Sequence, residues 1–164
     1  MPAIRYCTPE WLQTSVDAYQ ANPKFHQELQ RLSIKVCFKV RRNPDWGIDE
    51  DILFGAFVEK GELKKMGFFN PDEAREQAEV ILAATPQEWK RILRKESKFV
   101  TDFMLGKINL EQGSTVKVMG VAPYANTFVD ALTQSELQFP DEMTPEELSA
   151  YRAYMQEFRA DLGV

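Results

Sequence analysis

Histidine is almost missing from this 164-residue chain: His26 is the only one. That removes most of the usual supply of general acid–base groups and metal-binding imidazoles. His26 itself follows Phe25 in a helical stretch and reads as a helix-face residue. Gly-x-Ser-x-Gly elbows, P-loops and dinucleotide glycine fingerprints are also lacking, so no enzymatic activity and no cofactor are expected. Cysteine is scarce too. Cys7 and Cys37 lie far apart, without Cys-x-x-Cys spacing or a histidine nearby, which argues against a zinc site or a disulfide framework. Two reduced, idle thiols fit a reducing compartment. No segment approaches the ~20 apolar residues that span a bilayer, and Met1 to Cys7 does not read as a leader. A soluble, cytoplasmic chain is the expectation. Positive charge is in deficit, with 20 Lys and Arg against 25 Asp and Glu, which disfavours nucleic acid as a partner. The acidic loop NPDWGIDED, Asn43 to Asp51, lacks the ligand repeat of a calcium loop, and its Asp49 and Asp51 have no pattern around them suggesting a catalytic pair.

What the chain does have is apolar surface, 44% hydrophobic and 12% aromatic residues, enough to drive folding of a single domain of this length. One helix-start signal recurs: Thr8-Pro9, Asn22-Pro23, Asn70-Pro71, Thr85-Pro86 and Thr144-Pro145. Thr or Asn accepts from the free amides of a first turn, and proline at the first helical position forfeits no needed donor. Glu88 and Glu147, three residues after their threonines, predict capping boxes. Leu12, Val16 and Tyr19 share a face of the first helix, and Phe25, Leu29 and Leu32 one of the second. Between Ile34 and Arg41 the period becomes two: Ile34, Val36, Phe38 and Val40 alternate with Lys35, Cys37, Lys39 and Arg41, predicting a strand with one apolar and one wet, basic face. Ile52–Glu59 and Leu63–Phe69 flank Lys60-Gly61 as a hairpin. Asp72 to Ala84 fits a helix or a strand by period alone, and the residues themselves leave both open.

From Pro86 to Met104 a long helix is expected. At about 100° per residue, Trp89, Ile92, Leu93, Phe99, Val100, Phe103 and Met104 fall on one side, and Lys90, Arg91, Arg94, Lys95 and Lys98 on the other. Glu96-Ser97 is a point where the helix could divide. The basic side suggests transient contact with an anionic membrane, about 1 kcal/mol for each charge that reaches it. Leu148, Tyr151, Met155, Phe158 and Leu162 predict an amphipathic C-terminal helix of about five turns, packed on the body, or serving as a lid with Met155 as filler, or pairing in a homodimer.

Gly106-Lys107-Ile108-Asn109 resembles the Gly-Lys-hydrophobic-Asn signature that follows the ligand-covering helix of the sterol carrier protein type two family. GSTVKVMG, Gly113 to Gly120, resembles the glycine, alternating strand and terminal glycine that come next in that family, and AEVILAATPQEW resembles its preceding strand and helix start, which implies a helical turn near Pro71 to Arg75 and a strand from about Gln77 to Ala84. The connection from Gly106 to Gly113 is shorter than usual and lacks an aromatic pair, and Ser114 stands where a second Gly-Lys would place lysine. The resemblance is clearest over residues 77–132. It implies an α+β fold: a mixed or antiparallel sheet of about five strands, covered by helices on one face and enclosing an apolar pocket, with an extra C-terminal amphipathic helix. The implied organisation is a sterol-carrier-like lipid-binding domain over residues 1–139 and a helix over 140–164 packed upon it.

The function this implies is non-catalytic binding or carriage of a hydrophobic ligand, such as a fatty acid, an acyl-CoA or a sterol- or isoprenoid-like lipid, in a tunnel between sheet and helices. A structural or oligomerisation module of the same fold, and an enzyme on a small apolar substrate, are the alternatives. The residues expected to line the tunnel are Trp89, Ile92, Phe99, Phe103, Met104, Phe128 and Leu132, over a floor of Val36, Phe38 and Phe54.

Overall fold

A computed structural model describes residues 3–164. Its centre is a five-stranded mixed sheet built from β2 (Ile34–Val40), β3 (Ile52–Glu59), β4 (Glu62–Phe69), β5 (Val80–Ala84) and β6 (Asn109–Gln112) in the order β4-β3-β2-β5-β6. β2, β3 and β4 form an antiparallel meander; β5 returns parallel to β2, and β6 closes the other edge antiparallel to β5. The two-residue strands β1 (Ile4–Arg5) and β7 (Leu137–Gln138) pair parallel in a separate small sheet. This is the α+β architecture the sequence implies.

The five Thr-Pro and Asn-Pro signals named above start helices: α1 (Pro9–Ala21), α2 (Pro23–Glu28), α3 (Pro71–Gln77), α4 (Pro86–Leu93) and α8 (Pro145–Leu162). Each cap side chain accepts from a first-turn amide. Thr144 and Glu147 form the expected capping box; at Asn70 the box is also complete, through Glu73. At Thr85 only the forward bond from the Glu88 amide is made. The remaining helices are α5 (Phe99–Met104), α6 (Thr115–Val121) and α7 (Ala125–Leu132).

One face of the sheet, with Val36, Phe54, Ala56, Val58, Val80 and Leu82, packs into the main core together with residues of α1, α4 and α7. The other face is not simply wet, as alternation in β2 suggests. Cys37, Leu53, Phe57, Phe69 and Ile81 form a second, smaller core with Ala74 and Ala78, the apolar residues of α3 and its C-cap. That face is still polar in part: Lys39 and Arg41 meet Glu111 and Asn109 of β6, and Lys35 and Lys65 lie over the Phe57 ring.

Three sequence expectations need correction. The single helix over Pro86–Met104 is two, because residues 94–98 leave the helical path and Lys95 adopts φ 60. The alternating strand expected in GSTVKVMG is instead α6, with Ser114 as N-cap accepting from the Lys117 amide. The strand lies just upstream, at Asn109–Gln112, and Gly113 makes the turn between them. Its φ of 103, and a position that would put a Cβ 2.6 Å from the Glu79 carbonyl, leave room only for glycine. Finally, the ambiguous stretch resolves as helix through Gln77 and strand from Val80.

α8 is anchored by polar bonds as well as by packing. The Tyr151 hydroxyl donates to the Tyr6 carbonyl at 2.5 Å, Arg159 donates to the carbonyls of Glu50 and Asp51, and Phe158 packs on Phe68 with centroids 5.2 Å apart. Gly47 lets the acidic loop pass beneath it: its φ is 74, and a Cβ there would stand 3.3 Å from both Leu148 and Tyr151. Met155 is buried at this site and is not among the residues around the apolar cavity described below.

Burial holds both thiols protonated, the Cys37 thiol being pushed up to about 12 and that of Cys7 raised further. The thiolate is the reactive form. Native protein at mildly alkaline pH should therefore leave both cysteines unlabelled by an aromatic disulfide reagent over minutes, with both reacting after denaturation. Rapid labelling of either in the native state would contradict the packing.

Candidate ligand-binding cavity

Between the main sheet face and the helices lies an apolar cavity whose interior void is about 50 Å³. Phe38 of β2, Phe54 of β3 and Leu82 of β5 supply its floor. Trp89, Ile92 and Leu93 of α4, Phe99 of α5, Val121 at the end of α6, and Ala125, Phe128, Val129 and Leu132 of α7 supply its walls, with Tyr6 and Trp11 from the N-terminal region. The aromatic side chains interlock: Phe38 contacts Phe54 at 5.3 Å and meets Trp89 edge-on at 5.7 Å, and Trp11 meets Phe54 edge-on at 5.3 Å.

The two indole tips of this lining are engaged elsewhere. Trp11 Nε1 donates to the Leu132 carbonyl at 2.7 Å, and Trp89 Nε1 donates to the Lys39 carbonyl at 3.0 Å. Both indoles thus present carbon to the void while tying α1 to α7 and α4 to β2. The Tyr6 hydroxyl is buried without a hydrogen-bond partner among the described residues, and burial, then the neighbouring Cys7, pushes its pKa well up. Such a lining offers shape and apolar contact. Among the described residues there is no cluster of His, Cys, Asp or Glu able to hold a metal ion.

A second void, about 20 Å³, continues toward β3 and β4, bounded by Tyr19, Leu29, Ala56, Val58, Leu63 and Met66 among others. Phe128 and Leu132 border both voids. These two side chains of α7 form the partition.

Of the residues expected from sequence, Trp89, Ile92, Phe99, Phe128, Leu132, Phe38 and Phe54 surround the cavity. Phe103 stands one position back, stacked on Phe99 at 6.2 Å. Val36 is fully buried in the core but does not border the void. Met104 is a correction: it is 71% exposed, because the angular count from Trp89 is lost across the break at residues 94–98. Tyr6, Trp11, Leu82, Leu93, Val121, Ala125 and Val129 complete the wall without having been expected.

The basic side of α4 is largely neutralised. Lys90 pairs with Asp141 at 2.9 Å, Arg94 with Glu142 at 2.9 Å, Lys95 with Asp130 at 2.7 Å and Arg91 with Glu88 at 3.6 Å. Lys90 and Arg94 also lie over the Phe139 ring. These charges hold the 130–142 segment against α4, and of the five only Lys98 has no carboxylate within 4.0 Å among the described residues. No described helix is long and apolar enough to cross a membrane.

The Gly106–Asn109 motif has a local role. Gly106 turns the chain at φ 79, Ile108 is buried in the core, and Asn109 donates to the Gly106 carbonyl at 3.2 Å while accepting from Arg41 at 2.8 Å. The motif thus sets the exit from α5 into the edge strand β6.

A five-stranded mixed sheet with helices packed on it is an architecture found among solved structures of sterol carrier proteins. The chain has the sterol carrier protein 2 fold. It superimposes with a TM-score of 0.69 on a conserved hypothetical protein from Thermus thermophilus, described as possibly a sterol carrier protein, at 16% identity, covering 84% of this chain and 94% of that one. A crystal structure of sterol carrier protein 2 matches with a TM-score of 0.64 and 17% identity, covering 78% and 97%. Sterol carrier protein 2 from Yarrowia lipolytica, in its apo form, matches at 0.53 and 11%, covering 75% and 90%. No protein-family profile and no curated protein matches the sequence.

Proposed function

We propose that this chain binds a hydrophobic ligand without chemically changing it, holding a fatty-acyl, sterol-like or isoprenoid-like chain between the sheet and α4, α5 and α7. The observation that carries the reading is the cavity wall itself: side chains from the sheet and five helices converge on one space, and both indole N–H groups there are turned away into carbonyls. Burying about sixteen carbons at roughly 0.8 kcal/mol per methylene gives over 10 kcal/mol of gross transfer energy, enough to hold a lipid after ordering costs.

The void is too small for such a chain as it stands. At about 50 Å³ it is well under the 150 Å³ or so that accommodates benzene, and under the roughly 300 Å³ of a typical ligand site. An unliganded apolar wall closes because leaving it wet costs free energy. Opening falls most easily on α5, a six-residue helix joined to α4 by a segment with Lys95 in the left-handed region. Withdrawing Phe99 and Phe103 together, as a stacked pair, would widen the space beneath α5.

Native mass spectrometry of freshly purified protein, followed by solvent extraction of any released molecule, tests the reading. A stoichiometric lipid, or uptake of added palmitate with a change in tryptophan emission, is the expected result. A clean unliganded mass that resists added fatty acids and sterols would overturn it in favour of a structural module with a closed core, the reading that the small void favours.

A further inference from the structure

The two voids differ in what surrounds them. Half of the fourteen side chains around the larger one are aromatic, in a chain that is 12% aromatic. Phe38 and Phe54 belong to the sheet, Trp89 and Phe99 to α4 and α5, and Tyr6 and Trp11 to the N-terminal region. The planes of Phe38 and Trp89 cross at 88°, and those of Trp11 and Phe54 at 69°. Rings set at such angles offer both electron-rich faces and electropositive edges to a further ring that enters among them.

Around the smaller void only Tyr19 and Phe128 are aromatic, and Ala56, Val58, Leu63 and Met66 make the sheet side aliphatic. Its hydroxyls are already engaged. Ser15 donates to the Trp11 carbonyl, Thr127 to the Glu28 carboxylate and Tyr19 to the Gly61 carbonyl. No charged side chain borders either void, so a carboxylate or phosphate inside would have no ionic partner. Phe99 of α5 borders the larger void, and no residue of α5 borders the smaller. A molecule admitted by movement of α5 therefore meets the aromatic space first and reaches the aliphatic one only past Phe128 and Leu132.

We infer that the cavity takes a lipid with an uncharged, planar aromatic or conjugated ring at one end and an aliphatic tail, the ring lodging among Phe38, Phe54, Trp89 and Phe99 and the tail passing Phe128 into the smaller void. This rests on the carrier reading and narrows it. A saturated chain or a saturated ring system fills space equally well but gains nothing from the ring faces and edges, whereas a planar ring adds aromatic contacts beyond its buried area.

The test is competition for the full-length protein between 2-hexylnaphthalene and its fully saturated analogue 2-hexyldecalin, both delivered from cyclodextrin. Bound and free compound are extracted and quantified by mass spectrometry. The carbon skeletons are identical and the saturated compound is the more hydrophobic, so burial alone favours it. The naphthalene should nevertheless bind at least about fivefold more tightly. Phe38→Leu should lower that preference about threefold or more while leaving the decalin affinity within about twofold; Phe99→Leu, on the short helix α5, gives the same readout should Phe38→Leu fail to fold. Ala131→Leu, which fills the smaller void from α7, should weaken the hexyl compound about fivefold or more and leave 2-methylnaphthalene unaffected. Equal or weaker binding of the naphthalene would overturn the assignment, as would a loss in Phe38→Leu shared equally by both compounds, the result plain packing predicts. Protein that takes up palmitate but neither ring compound would overturn the inference and leave the carrier reading standing. Protein that takes up none of the three overturns both.

Discussion

Trp11→Ala should lower the free energy of unfolding by about 3–5 kcal/mol, the range for removing a large aromatic side chain from a packed core. Trp11 is 1% exposed, held between Tyr6 at 5.1 Å and Phe54 at 5.3 Å. Its Nε1 satisfies the Leu132 carbonyl, 121 residues away. The substitution therefore removes packing and strands an acceptor in one step, and an unmade buried hydrogen bond alone costs about 1–3 kcal/mol. Trp11→Phe separates the two effects by keeping an aromatic ring and losing the N–H; it should cost less than half as much. Denaturant midpoints at unchanged slope are the measurement. A loss below about 1 kcal/mol for Trp11→Ala would mean that α1 is not fixed to α7 as the structure has it.

Where local chemistry decides, the sequence was legible. A threonine or asparagine followed by proline is complete within a few residues: five of the six such pairs start α-helices with a side-chain cap, and Asn43-Pro44 starts a 3-10 turn without one. The β3–β4 hairpin is equally local: Lys60 and Gly61 both take positive φ, 50 and 82, the conformation a two-residue turn needs. Legibility ends where a pattern has two geometric solutions. V-K-V-M alternates like a strand, but on a strand Val116 and Val118 would share a face, whereas on a helix they stand about 200° apart. Their exposures, 82% and 0%, show the helical solution, and the signal that could have found it was Ser114 as a cap. Met104 was misplaced for a related reason, a phase carried across a break in the helix.

The cavity was half legible. Residues of α4 and α7 could be expected because an amphipathic helix must bury its apolar side. Tyr6 and Trp11 could not, since they reach the cavity only through tertiary contacts such as the β1–β7 pairing that ties the N-terminal segment to residues 137 and 138. Nor could the basic side of α4 be read correctly from charge alone. Its acidic partners Asp130, Asp141 and Glu142 lie 35 to 51 residues downstream, so a stripe that looks like a membrane contact is mostly an internal clasp.

Phe128→Ala should lengthen the preferred ligand. Phe128 borders both apolar voids, the larger about 50 Å³ and the smaller about 20 Å³, and removing its ring opens a passage along the sheet face from Phe54 toward Val58 and Leu63. In a carrier of acyl chains, each further methylene that enters the joined space contributes roughly 0.8 kcal/mol. Two would shift relative affinity by more than about tenfold toward the longer chain. Phe128 is only partly buried, so the stability cost should be about 2 kcal/mol, below that of a fully buried phenylalanine, and the protein should remain folded. Competition between saturated fatty acids of increasing length, read by extraction and mass spectrometry of the bound fraction, makes the comparison within one sample and cancels any uniform loss of affinity. Phe128→Leu, which keeps most of the partition, should leave the length preference near that of the wild type. If Phe128→Ala binds the same chain length as wild type while losing stability alone, the two voids are separate packing defects and the ligand occupies only the one beneath α4.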